Sequence, residues 1–124
     1  MYIKRFNSFI NEKMYQPSYI NKFLKEKYKD VIAKLFIFEN EKSLELNIII
    51  IKKEFQNKGY GKKILNDLIE YSNKENKIIH LTPTNEFGSN VENLKKFYKS
   101  FGFVFNKGFN KDFTIKDTMI RYPN

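Results

Sequence analysis

The chain has no cysteine, no tryptophan, a single histidine and only two arginines, Arg5 and Arg121. The missing cysteines exclude disulfides, thiolate metal sites and a cysteine nucleophile together, and they suit a reducing compartment. With His80 alone and no His or Cys clustering in the sequence, no metal site is expected. Long apolar runs are missing too. Ile48–Ile51 is the length of a strand, well short of the roughly 18 residues a membrane helix needs. Behind Met1–Arg5 there is no apolar stretch with a small-residue cleavage site, so the sequence reads as cytoplasmic, without a secretory signal or membrane partner.

What is present defines one domain over residues 1–124, with 1–17 as an N-terminal extension or helix. The apolar share of 41% and aromatic share of 17% are too high for a disordered tail and sufficient for a real core. The formal charge of +9 raises nucleic acid as a partner. Two features disfavour it. The positive charge is nearly all lysine, a point charge rather than the fork that reads bases, and it is spread along the chain rather than blocked.

Residues 18–29 carry Ile20, Phe23, Leu24 and Tyr28 at helical spacing, with Ser18 placed as cap. Val31–Phe38 reads as a strand, Asn40–Lys42 as a polar turn, and Leu44–Lys52 as the return strand of a hairpin. That second strand alternates at first and is then apolar on both faces from Ile48 to Ile51, which predicts a half buried on both sides. A glycine loop leads to a helix over 60–73 with Ile64, Leu65, Leu68 and Ile69 as its apolar stripe. Lys77–Leu81 is a short strand. A helix over 90–100 should bury Val91, Leu94, Phe97, Tyr98 and Phe101 and stop at Gly102. Strands at Phe103–Asn106 and Phe113–Tyr122 close the chain. The order implies an α/β (α+β) fold: a mixed sheet with helices on its faces.

The loop Gln56-Asn57-Lys58-Gly59-Tyr60-Gly61-Lys62-Lys63 joins the apolar strand to the amphipathic helix. Such a junction presents free backbone N–H groups and a positive helix end, a seat for phosphates. It is not a P-loop, because Lys62 is followed by lysine rather than Ser or Thr. It is not a dinucleotide fingerprint, because Ile64 stands where a third small residue is needed. On the glycines alone, a plain strand-to-helix turn is an equal reading.

The pattern Gln56-x-x-Gly59-x-Gly61 resembles the pyrophosphate-binding motif of the GCN5-related N-acetyltransferases, and Ile49–Phe55 resembles the strand and lead-in before it. Downstream, Leu94–Phe103 resembles the family's second signature, an aromatic–tyrosine pair followed by Gly-Phe. The resemblance covers roughly residues 31–122. It implies a mostly antiparallel sheet splayed between the family's fourth and fifth strands, with acetyl-CoA as cosubstrate in the gap. It also implies backbone amides of Gln56, Asn57, Lys58, Gly59, Tyr60, Gly61 and Lys62 around the pyrophosphate. Ile49 and Ile51 would pair with the pantetheine arm, and the Ile51 N–H would serve as oxyanion donor. Asn85 would stand in for a family asparagine whose position here is Val91.

By the same resemblance, an amine of an unknown acceptor, small molecule or protein, attacks the thioester directly. Tyr98 would protonate the leaving thiolate, and Glu45 would take the acceptor's proton, with Glu54 or a water chain as the alternatives. Core packing is the bland reading of Tyr98, and simple exposure that of Glu45. A base matters, because a lysine-like amine is neutral in only about one molecule in 2,500 at pH 7. His80, inside a short strand, reads as a packed residue, with contact to the cleft as the alternative. The basic surface suggests an acidic partner and disfavours polyamine acceptors. A catalytically inactive binding module on the same fold, monomer or homodimer, is the competing class. Separately, Lys4–Glu12 resembles the head-targeting peptides of large tailed phages, cut after an Ile-x-Glu triplet such as Ile10-Asn11-Glu12. That would place the protein in host cytoplasm or virion; an amphipathic first helix is the other reading.

Overall fold

The computed structural model describes residues 18–84 and 90–124. The region of the targeting-peptide resemblance and Asn85 lie outside them. Helix α1, Tyr19–Lys27, starts where Ser18 accepts the Asn21 N–H at 3.1 Å. Its apolar stripe turns Ile20 and Leu24 inward. Buried Asn21 accepts the Ile37 N–H at 2.8 Å, and Ser18 Oγ donates to the Ile37 carbonyl at 3.3 Å, so the outer edge of β1 is satisfied there by side chains of the helix.

Strand β1, Ile32–Glu39, turns through Asn40 into the antiparallel β2, Ser43–Ile51. Asn40 Oδ1 accepts the Lys42 and Ser43 N–H groups, both at 2.8 Å, which fixes the turn. The pairing contains a slip. Ile37 faces Leu46 and Phe36 faces Ile48, leaving Asn47 without a partner. This bulge on β2 shifts the side-chain phase, so Leu44, Leu46 and Ile49 share the core face while Glu45 and Ile48 share the other.

Helix α2, Tyr60–Glu75, packs Ile64, Leu65 and Leu68 onto that core face beside α1, and ends with Asn76 in the left-handed conformation at φ 56°. Strand β3, Ile78–Leu81, pairs parallel to β2, but only over Ser43–Glu45 against Ile78–His80. Helix α3, Val91–Lys99, is capped by Asn90 and stopped by Gly102 at φ 94°. Strands β4, Val104–Phe105, and β5, Met119–Arg121, complete a sheet of order β1-β2-β3-β5-β4. One core cluster joins helices and sheet, with Leu24, Ile37, Leu44, Ile79 and Met119 fully enclosed.

Three expectations are corrected. The last strand is three residues, not Phe113–Tyr122. Asn106 replaces the missing ladder: its amide donates to the carbonyls of Asp112, Ile115 and Asp117 at 3.1 to 3.3 Å. Ile48–Ile51 are half-buried rather than enclosed, because β3 leaves β2 after Glu45. In α3 only Tyr98 is buried; Val91, Leu94 and Phe97, and Phe101 just after the helix, are half-exposed.

Candidate active site

The separation of β2 from β3 opens a fork. On the core face it leads into a cleft of about 460 Å³, walled by Leu46, Ile49 and Ile51 of β2, Gly61 and Leu65 of α2, and Leu94, Phe97 and Tyr98 of α3. Lys52 N–H donates to the carbonyl of Val31, just before β1, at 2.8 Å. Strand backbone groups alternate sides, so the N–H groups of Ile51 and Ile49 turn away from β1 and into the fork. The Ile51 carbonyl is taken by Gln56 Nε2 at 2.9 Å. Gln56 thus braces the loop against the strand end with its side chain.

The loop then uses two left-handed positions, Asn57 at φ 62° and Gly59 at φ 86°. Alternating hands curl successive N–H groups toward one side, a concavity suited to anions. The start of α2 differs from the other helices. Ser18 caps α1 and Asn90 caps α3, but Gly59 offers α2 no side-chain cap. The first turn of α2 holds no acid and instead carries Lys62 and Lys63, exposed beside Lys58. Cations at the positive end of a helix are unfavourable by a few tenths of a kcal/mol unless an anion joins them. A diphosphate fits this arrangement: bare amides, no competing carboxylate and lysines on the rim. Tyr60 packs edge-on against Phe55 and beneath Lys63, which holds the turn in place.

Tyr98 sits at the inner end of the cleft, held edge-to-face by Phe97 and Phe103 with ring centroids 5.4 Å apart in each pair. Burial pushes its phenol up to about 12, so it keeps its proton throughout the neutral range. Asn90 and Asn93 add polar groups to the cleft wall. Neither was singled out as a site residue in the sequence, although both flank Val91, where the resemblance fails.

Glu45 does not enter this cleft. It projects from the opposite face of the sheet, where a hollow of about 740 Å³ is lined by Phe38, Glu41, Glu45, His80 and Asp112. A smaller cavity of about 90 Å³, touched by Tyr98, Ile49, Ile48 and Thr82, lies in the fork itself. A further one reaches from Ile48 and Thr82 to Glu45 and Asp117. The site therefore has two mouths on opposite faces. Ile49, Ile51, Gly61 and Tyr98 share the first, and Glu45 stands at the second. His80 and Asp117, which the sequence did not bring together, also stand at the second mouth.

A family description, acetyltransferase (GNAT) domain, matches residues 23–105, about two thirds of the chain. The chain therefore belongs to the GNAT acetyltransferase family. No curated protein matches it significantly in sequence. Among solved structures it is similar to GCN5 of Tetrahymena at 15% identity and TM-score 0.52, covering 76% of this chain and 61% of that one. It is similar to a protein from Bacteroides thetaiotaomicron assigned to the GNAT family at 18% identity and TM-score 0.52, covering 73% and 53%. Ard1 of Thermoplasma volcanium aligns at 18% identity and TM-score 0.50, covering 83% and 77%. At these identities the likeness establishes the fold. The chain spans between about half and two thirds of the first two structures. Among the described residues, no helix is long and apolar enough to cross a membrane.

Proposed function

We propose that the protein is an N-acetyltransferase that takes acetyl-CoA through the core-face cleft and a cationic amine through the opposite mouth. The observation that carries this is the fork. It joins a cleft headed by an uncapped, lysine-rimmed helix start to a hollow lined with carboxylates, and Tyr98 lines both the cleft and the cavity between them.

Acetyl-CoA supplies the acetyl group already activated as a thioester, and the remaining tasks fall to the chain. Amides from Asn57 to Lys62 hold the diphosphate; the Gln56 N–H, expected among them, is taken by the Lys53 carbonyl at 3.3 Å. The N–H groups of Ile51 and Ile49 meet the amide-bearing arm as an added strand would. The Ile49 N–H rather than that of Ile51 is placed to steady the carbonyl oxygen, because Ile49 shares the fork cavity with Tyr98 and Ile51 does not. Tyr98 protonates the departing sulfur. The acceptor enters beside Glu45, the carboxylate that receives its ammonium and belongs to its deprotonation. The local acidity of that mouth overrides the net positive charge of the chain, so an amine carrying positive charge is favoured over an acidic partner.

Calorimetric titration with acetyl-CoA and CoA tests the cofactor half, and should show micromolar binding, about −8 kcal/mol. Tyr98→Phe should retain that binding and lose kcat by about a hundredfold. No binding at saturating concentration would sink the reading. Binding with no transfer in either protein would leave a noncatalytic acyl-CoA module.

A further inference from the structure

The last rung joining β2 to β3 pairs Glu45 with His80, and the fork opens immediately beyond it. Register partners in a ladder project from the same face, so both side chains look into the second mouth. Asp117, two residues before β5, brings a carboxylate to the imidazole: Oδ2 lies 2.6 Å from His80 Nδ1. Its other oxygen accepts from Thr82 Oγ1, also at 2.6 Å. Potential donor atoms of Glu45, His80 and Asp117 all lie within 4.8 Å of one another. His80 and Asp117 expose only 13% and 18% of their side chains, enough for a ligand to reach and little enough to hold one geometry.

The same three groups could be read as metal ligands. Two ligands on a tetrahedral ion at about 2.0–2.1 Å stand about 3.3 Å apart. The observed 2.6 Å belongs to a hydrogen bond. An ionised carboxylate has no proton to give, so this contact calls for the hydrogen on Nδ1, and in that neutral tautomer Nε2 keeps its lone pair.

Resting on the function proposed above, we propose that His80 is a catalytic residue of the transfer: its Nε2 takes the proton of the ammonium that Glu45 holds, while Asp117 and Thr82 fix the ring. An imidazole is intrinsically a stronger base than a carboxylate, so it is the better proton acceptor of the groups that meet the ammonium. The groups facing the ring are Glu45 from β2 and Asp112 and Asp117 from the β4–β5 connection, with Lys42 lining the same hollow. The protons balance. One leaves the ammonium for Nε2 and then solvent. The freed nitrogen pair forms the C–N bond as the C–S bond breaks. The second nitrogen proton restores the one Tyr98 gives to sulfur.

The chain has one histidine, so nitrogen-15 NMR reads its tautomer directly. The full chain should show hydrogen on Nδ1 and a bare Nε2, and Asp117→Asn should move the balance toward Nε2–H. Kinetics supply the second arm, with two probes. For 2-phenylethylamine, an ammonium ion at neutral pH, His80→Gln should lower kcat/KM about a hundredfold with the KM for acetyl-CoA unchanged. For aniline, already neutral, the same variant should transfer as the parent does. A bare Nδ1, an equal loss on both amines, or stoichiometric Zn²⁺ seated on the imidazole would overturn the assignment. Failure of the unaltered protein to bind acetyl-CoA would instead strike the reading beneath it.

Discussion

Gly59 and Gly61 sit two residues apart in one loop but are glycines for different reasons. Gly59 holds φ 86° with open space around it, so a side chain there is opposed by backbone conformation alone, about 1–2 kcal/mol. Gly61 is free of that constraint. A Cβ on it would meet nothing within 4 Å, and it faces the cleft. Folding does not require glycine at 61; the proposed cofactor, lying against the first turn of α2, would. Gly61→Leu should therefore melt no earlier than the parent while acetyl-CoA affinity falls at least about tenfold, or 1.4 kcal/mol, in calorimetry. A variant that melts early, or one that binds normally, would remove the loop from the cofactor site.

Of the elements, the β4–β5 connection departs most from its sequence. Phe113–Tyr122 was expected to be a strand, but one side chain, Asn106, does what a neighbouring strand would have done. Its Oδ1 accepts the Asp112 N–H at 2.8 Å and its Nδ2 donates to three backbone carbonyls. Asn106→Ala leaves these groups to find water, which should cost about 1–3 kcal/mol in denaturant melts. Hydrogen exchange should quicken within 106–118 and spare β1 and β2; a uniform rise would mean that Asn106 does not hold the connection. Side-chain substitution for a ladder leaves no periodic signal, so it could not be read in advance. The β2 bulge was hidden for a related reason. Four consecutive isoleucines show no alternation, and a slip of phase just before them is invisible until β1 is laid alongside. What was legible was local or self-announcing: the Ser18 cap, the Gly102 stop, the hairpin, the glycine loop and Tyr98. What was not legible depends on register between distant strands. His80 looked like a packed strand residue because Asp117 lies 37 positions away, and only the pairing of β3 with β5 brings them into contact.

Across the whole molecule, charge and titration are distributed unevenly. Five carboxylates, Glu39, Glu41, Glu45, Asp112 and Asp117, gather around the second mouth of a chain whose formal charge is +9. A net charge describes steering at a distance; the mouth decides what docks. The buried phenols set a different global property, alkaline stability. Tyr98 is pushed up to about 12 by burial. Tyr71 is raised by burial and then by its hydrogen bond to Glu39, and Tyr28 by burial and then by Asp67. An unfolded tyrosine ionises near 10, so below that pH both states keep the proton and the full stability is present. Above it the unfolded chain loses protons first, and stability falls until the folded phenols ionise as well. For Tyr98 alone, two units correspond to about 3 kcal/mol lost between pH 10 and 12. Denaturant melts at pH 7 and pH 11 should show that decline in the parent. Tyr98→Phe, which cannot ionise, should decline less steeply over the same interval. Equal slopes would mean that the Tyr98 hydroxyl meets solvent in the folded state, and the phenol would then lack the enclosed position at the fork on which the acid role proposed for it rests.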